Sequence, residues 1–334
     1  MKKYGGLAIG LLIMLALGLA ACGADTTPTN NNPAAATTPT GAPATTKATN
    51  TMVATVTGPG SELQGKLIAT KNTDVRITGI ARLDNLKAAS GTVSPKNGLF
   101  LAVFYEMANI SQKPVALDDI ILYDGQNNQL KETTDVNTLT AFYSLYPNDT
   151  DVDRIQPSFV ARKAKLFDVA KAASGFRVEA DPDYKTDRQP SADSFANPGG
   201  KGADSGAGQE LAGKTYTTTS TTDNNITFKV VKVDRLTELK AGTTSRTTSG
   251  AYLVVIYELQ YEKGKSSTVS ATLSTPALKD GTGRKFSGES DTLSDLAKLA
   301  KASGKYTDVL GANTQIAVYE VAKDAANLEL VSYN

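Results

Sequence analysis

The densest run of possible ligands is Asp149-Thr-Asp-Val-Asp153, three carboxylates at alternate positions. Oxygen donors so spaced can wrap a Ca²⁺ ion, as at the start of an EF-hand loop. Here the sixth position holds Arg154 instead of Gly and the twelfth holds Val160 instead of Glu. The run therefore reads as a solvated turn, with weak calcium binding by Asp149, Asp151 and Asp153 as the sharper alternative. Asp118-Asp119 and Asp181/Asp183 have the residue types for general acid–base work, which needs one carboxyl with a raised pKa in an enclosed site. Asp118 follows Leu117 at a strand boundary and the second pair flanks Pro182, so both read as exposed turn carboxylates. Pro198-Gly-Gly-Lys-Gly202 follows no strand, as a phosphate-cradling loop must, and reads as flexible chain. Composition excludes more. With no histidine there is no Ser-His-Asp or Cys-His relay and no His-ligated zinc. One cysteine excludes an intramolecular disulfide and any Cys-rich metal site. No catalytic residue, cofactor or metal site is expected.

The lone cysteine has a chemistry of its own. Lys2 and Lys3 precede an uncharged, mostly apolar run of 17 residues, Gly5 to Ala21. A bilayer span wants about 20 apolar residues, and Gly5, Gly6, Gly10 and Gly18 interrupt this one. A basic start, a short apolar stretch and terminal small residues make a secretory signal peptide over residues 1–21. The junction Leu19-Ala20-Ala21-Cys22 resembles a bacterial lipobox. That resemblance implies diacylglyceryl transfer to the Cys22 sulfur, cleavage before it and acylation of the new terminus. Two or more acyl chains attach a protein stably to a membrane, whereas one is marginal. The expected location is extracytoplasmic, lipid-anchored through Cys22 to the outer face of the bacterial cell membrane. With 35 basic against 34 acidic residues, the chain lacks the basic excess of a nucleic-acid binder.

These residues must be positioned by the rest of the chain. Residues 22–61 are mainly Thr, Ala, Asn, Pro and Gly, too poor in large apolar side chains to offset ordering entropy. They read as a disordered stalk carrying the lipidated cysteine, with a reach of about 30–36 Å. A second Pro/Gly/Ser/Asp-rich stretch, 181–209, reads as a flexible linker of roughly 27–32 Å. Two patterned domains remain, 62–180 and 210–334, each close to neutral.

The two domains are copies. Arg82, Leu83, Leu86, Lys87 and Ala88 recur as Arg235, Leu236, Leu239, Lys240 and Ala241. Gly98-Leu-Phe-Leu-Ala-Val-Phe-Tyr-Glu-Met107 matches Gly250-Ala-Tyr-Leu-Val-Val-Ile-Tyr-Glu-Leu259, and Leu122-Tyr-Asp-Gly125 matches Leu278-Lys-Asp-Gly281. Phe167-Asp-Val-Ala-Lys171 matches Tyr319-Glu-Val-Ala-Lys323. Every block reads as strand, with Asp-Gly turns between strands. The period of two separates Leu101, Val103, Tyr105 and Met107, expected between two sheets, from Phe100, Ala102, Phe104 and Glu106 on the other side. Leu253, Val255, Tyr257 and Leu259 repeat the first set; Tyr252, Val254, Ile256 and Glu258 repeat the second. Short strands with such turns predict an all-β chain of two tandem Ig-like β-sandwiches. Each carries a short helix, 134–146 and 291–303, expected to close one end of its sandwich.

Three further patterns have a chemical and a structural reading. Arg82/Arg235 and Glu106/Glu258 recur together and are expected to form a cross-strand ion pair in each copy, with a ligand-binding charge pair as the alternative. Lys298, Lys301 and Lys305 read as a solvated helix face, not an anion-binding patch. Phe100, Phe104 and Tyr252 read as covered, with an exposed docking strip as the alternative.

The β-start, the Gly-aromatic-Leu-x-Val-aromatic-Tyr-Glu strand, the Asp-Gly turn and the terminal Phe-Asp-Val or Tyr-Glu-Val strand are similar to a known family. It comprises the telokin-like, immunoprotective-antigen-like Ig domains of bacterial and archaeal lipoproteins. The second copy departs from the pattern where Tyr261-Glu-Lys-Gly-Lys replaces Asn109-Ile-Ser-Gln-Lys-Pro114. The resemblance implies an extracytoplasmic Ig-like fold and no particular activity. Together these readings predict a non-enzymatic lipoprotein that presents two modules to an unknown protein or cell-envelope partner. A solute or glycan receptor using sandwich-end loops is the alternative, and a carboxylate-dependent hydrolase the contrasting class.

Overall fold

A computed structural model describes residues 60–89, 91–146, 154–219, 225–261, 275–290 and 294–332. The chain is all-β, built as two sandwich modules. In the first, the strands are β1 (Leu67–Ala69), β2 (Thr73–Leu83), β3 (Leu86–Ala88), β4 (Gly91–Val93), β5 (Gly98–Asn109), β6 (Val115–Ala116), β7 (Ile120–Tyr123), β8 (Arg154–Ile155), β9 (Val160–Ala170) and β10 (Arg177–Ala180). The main antiparallel sheet runs β1-β2-β5-β9 and faces the pair β7-β10. The second module contains β11 (Thr215–Thr219), β12 (Asn225–Ala241), β13 (Thr244–Tyr261), β14 (Ala277–Lys279), β15 (Lys285–Phe286), β16 (Gly288–Ser290), β17 (Thr314–Val321) and β18 (Glu329–Val331). Its sheets run β11-β12-β13-β17-β16 and β15-β14-β18. The register slips between Ile77 and Gly79 in β2 and between Val230 and Lys232 in β12. The duplication thus extends to a β-bulge at the same point of each repeat.

Alternation along the two central strands explains both layers of packing. Leu101, Val103, Tyr105 and Met107 enter the inter-sheet core with Val75, Ile77, Leu122 and Val178. Leu253, Val255 and Tyr257 do the same in the second copy. The opposite faces are covered by helices. Phe100 and Ala102 lie under Ala141 and Phe142 of α1 (Val136–Leu145). Tyr252, Val254 and Ile256 lie under Ala297, Leu299 and Ala300 of α2 (Asp295–Ala302). Each helix therefore lies on the outer face of its large sheet and does not close a sandwich end. The reason is residue size: an apolar strand face of Phe and Ile needs a cover, which each helix supplies together with Leu86 and Val93 in the first module and Leu239 and Tyr306 in the second. Asp135 caps α1 by accepting from Thr138 N, and Ser294 caps α2 by accepting from Leu296 N. Phe100 and Tyr252 are buried, and Phe104 meets the Tyr146 ring edge-on at 5.2 Å, so these aromatics form no exposed strip.

Residues 181–209, which composition reads as a flexible linker, make specific contacts with both modules. Arg188 reaches the buried Asp74 at 2.6 Å and donates to Thr73 O, while Ser191 N also donates to Asp74. The Arg76 guanidinium stacks on Phe195 at 4.5 Å. Further along, Asp204 pairs with Arg235 at 2.6 Å. Charge pairing and aromatic stacking order a stretch that has little apolar surface of its own.

Candidate functional site

Among the described residues, the candidate carboxylates do not converge on one site. Asp118 is buried, contrary to the expected exposed turn carboxylate, and accepts from Thr73 Oγ1 at 2.6 Å and from Thr70 Oγ1. Its neighbour Asp119 turns the other way and pairs with Lys165, which also holds Glu132 at 3.1 Å. Adjacent acids on an extended chain point apart, so the pair makes no acid–base dyad. Asp181 accepts from Asp183 N at 2.9 Å, capping a one-turn 3₁₀ helix. Cys22 and Asp149, Asp151 and Asp153 lie outside the described residues. Among the described residues, no group of three or more His, Cys, Asp or Glu side chains could hold a metal ion. Nor is any helix among them long and apolar enough to cross a membrane.

The recurring charges are scaffold contacts with other partners than expected. Glu106 pairs with Arg76 at 2.6 Å, and Glu258 with Lys229 at 3.5 Å. These are the residues opposite them in register. Arg82 faces Leu101 further along the strand and donates to the carbonyls of Lys171 and Ala173. Arg235 does the same for Ala322 and Lys323. Each arginine thus holds the corner after the last long strand of its module. Lys298 pairs with Asp295 at 3.1 Å on the exposed face of α2.

A second repeated device has a plain sequence signal that the strand comparison passes over. Gly58-Pro-Gly-Ser-Glu-Leu-Gln-Gly-Lys66 matches Gly206-Ala-Gly-Gln-Glu-Leu-Ala-Gly-Lys214. Glu62 accepts from Gly60 N and Phe176 N; Glu210 accepts from Gly208 N and Leu328 N. Burial works against the Glu210 carboxylate, but these N–H groups outweigh it and hold its pKa below the ordinary value. Leu63 and Leu211 beside them are fully buried. The motif pins the start of each module to its last strand.

Among the described residues, an open groove of about 550 Å³ lies at the edge of the first module. It lies between β1, β10 and residues 185–187. Lys66 O accepts from Ile77 N and Thr70 N donates to Thr73 O. Antiparallel alternation then turns the N–H and C=O groups of Leu67 and Ala69 outward, away from β2. Asp181 N donates to Asp119 O, which by the same alternation turns the backbone groups of Val178 and Ala180 outward. These four residues line the groove, with Lys66 at one side and Asp187 at another. Glu179 within it is held by Arg177 and by Lys185 at 3.1 Å. The groove offers backbone donors and acceptors, not an enclosed reaction centre.

No protein-family model matches the chain, and no curated protein matches it. It is similar to a conserved hypothetical protein from Bacillus anthracis with a crystal structure: 22% identity over 36% of this chain and 90% of that one, with a TM-score of 0.31. A likeness that slight carries no conclusion about fold or activity.

Proposed function

We propose that this chain is a non-enzymatic lipoprotein, anchored outside the bacterial cell membrane through acylated Cys22, that binds an extended segment of a protein or cell-envelope partner. The observation that carries the binding half is the groove bounded by two strand edges with outward backbone groups. An extended segment can pair with such an edge, main-chain bonds supplying affinity and side chains register. The anchoring half rests on the only cysteine falling directly after Leu19-Ala20-Ala21. The open form of the groove favours a chain over a small solute, which binds best where most of its surface is enclosed.

The test is site-specific photo-cross-linking in intact cells. A photoreactive residue at Lys66 should capture one partner, whereas the same residue at the remote, exposed Val136 should not. Ala69→Pro removes an outward donor at an edge position where proline is tolerated, and should abolish capture without changing the melting temperature. Equal capture from both positions, or capture that survives Ala69→Pro, would reject the groove. Cys22→Ser should release the protein from the membrane fraction; retention there would reject the anchor.

A further inference from the structure

We propose that Pro198–Gly202 is a strap that locks the two sandwich modules into one body with a fixed mutual orientation, an inference independent of the binding reading. The backbone of Gly199 is shared between them. Gly199 N donates to Ser158 O of the first module at 2.7 Å, and Gly199 O accepts from Lys323 N of the second at 2.7 Å. Two residues on, Lys201 N donates to the Asp324 carboxylate at 3.2 Å. Only glycine fits at this crossing. A Cβ at Gly199 would lie 2.3 Å from the Ser249 carbonyl carbon, and the backbone there has φ +76°.

Beneath the strap the modules meet through complementary side chains. Phe159, 6% exposed, lies on Gly250 of β13, where a Cβ would come within 2.6 Å of its ring. The buried Gln156 amide donates to Ser287 Oγ at 2.7 Å and accepts from Ser287 N at 3.1 Å. Lys285 N donates to Gln112 O at 2.7 Å. Arg284, paired with Asp280 at 2.8 Å and Asp324 at 3.0 Å, donates to Ser158 Oγ at 3.1 Å. Parting the modules breaks every bond that crosses the seam together, while Arg284 keeps Asp280 and Asp324, and strips Gln156 and Ser287 of their partners, so the seam opens cooperatively or not at all. The chain leading in and out of the strap is itself held, by Arg188 on Asp74 and by Arg235 on Asp204. A partner touching both modules would therefore meet a fixed spacing, not two independently searching domains.

Two readouts test the strap on the full-length chain. Native-state trypsin should spare Lys201 and Arg188, although exposed Pro/Gly-rich chain is ordinarily a preferred cutting site. Gly199→Val should raise cleavage at Lys201 at least tenfold with the far-ultraviolet spectrum unchanged. Gln156→Leu, which removes the seam's buried amide without adding bulk at the strap, should also raise it and decides the matter if Gly199→Val does not fold. Spin labels on Gln126→Cys and Lys305→Cys, with Cys22→Ser, should give one narrow inter-module distance that broadens in either variant. Rapid cutting of the unmodified chain at Lys201, a broad distance distribution in it, or both variants behaving as the unmodified chain would overturn the proposal.

Discussion

Replacing Tyr319 with Phe removes one oxygen atom from the interior of the second module, and the surroundings of that atom set the cost. Tyr319 Oη donates to Pro276 O at 2.7 Å and lies 2.7 Å from Tyr257 Oη. A hydroxyl has one proton, so Tyr257 must be the donor in the second contact. Both rings are fully buried. Tyr319→Phe therefore deletes two hydrogen bonds and leaves a carbonyl and a hydroxyl without partners. A net bond contributes about 0.5–1.5 kcal/mol, and an orphaned buried group costs about 1–3 kcal/mol. With two groups orphaned, a loss of about 2–6 kcal/mol is expected for Tyr319→Phe. Tyr257→Phe deletes one bond and leaves Tyr319 still donating to Pro276, so about 0.5–1.5 kcal/mol is expected. In the double variant only Pro276 O is orphaned, and the combined loss should fall short of the sum of the two single losses. Urea unfolding followed by far-ultraviolet circular dichroism measures all three. Equal single losses, the reverse order, or strict additivity would show that the assigned direction of donation is wrong.

Stability should be flat across neutral pH, because the chain has no histidine to titrate there. Burial pushes the hydroxyls of Tyr105, Tyr257 and Tyr319 well above their ordinary pKa. Above about pH 10 the unfolded tyrosines lose protons that the folded ones keep, so stability should fall with rising pH, by up to about 1.4 kcal/mol per unit for each. On the acid side, burial opposes the charged form of Asp204, but its contact with Arg235 outweighs that and lowers its pKa. Its contribution, like that of Glu210, is present above the ordinary carboxylate range and should disappear as pH falls through the lowered value. Thermal melts across pH would contradict this if they showed a step between about pH 6 and 8, where only histidine normally titrates. Phe142→Ala should cost about 3–5 kcal/mol by emptying the space between α1 and the outer face of β5. A loss under 1 kcal/mol by urea denaturation would mean that the helix is not required to cover that face.

The two-layer arrangement was legible from one strand. Leu101, Val103, Tyr105 and Met107 separate from Phe100, Ala102 and Phe104 by a period of two, and the structure sends the two sets to different cores. The helices were legible as helices but not as covers, since helical spacing reports an apolar stripe and not what that stripe faces. Arg82 and Glu106 recur together, yet pairing them needed a register that places Arg76 opposite Glu106. Asp118 stands next to Asp119 in sequence, but a threonine-lined pocket receives one and Lys165 the other. The groove was not legible at all. It is made of backbone edges, and which edges go unpaired depends on strand order.

The sequence by itself determined the all-β class, the duplication and the apolar faces, because these depend on residue type at short periodic spacing. It also restricted the chemistry, since side chains that are absent supply no acid, base or ligand. Tertiary structure alone decided how the two copies meet. Gly199 reads as flexibility wherever glycine is judged by its own conformational freedom. Between Ser158, Lys323 and the backbone of Ser249 the same residue is the one that fits. Composition measures what a free chain can do, whereas the contacts closing around residues 181–209 come from segments far away in sequence.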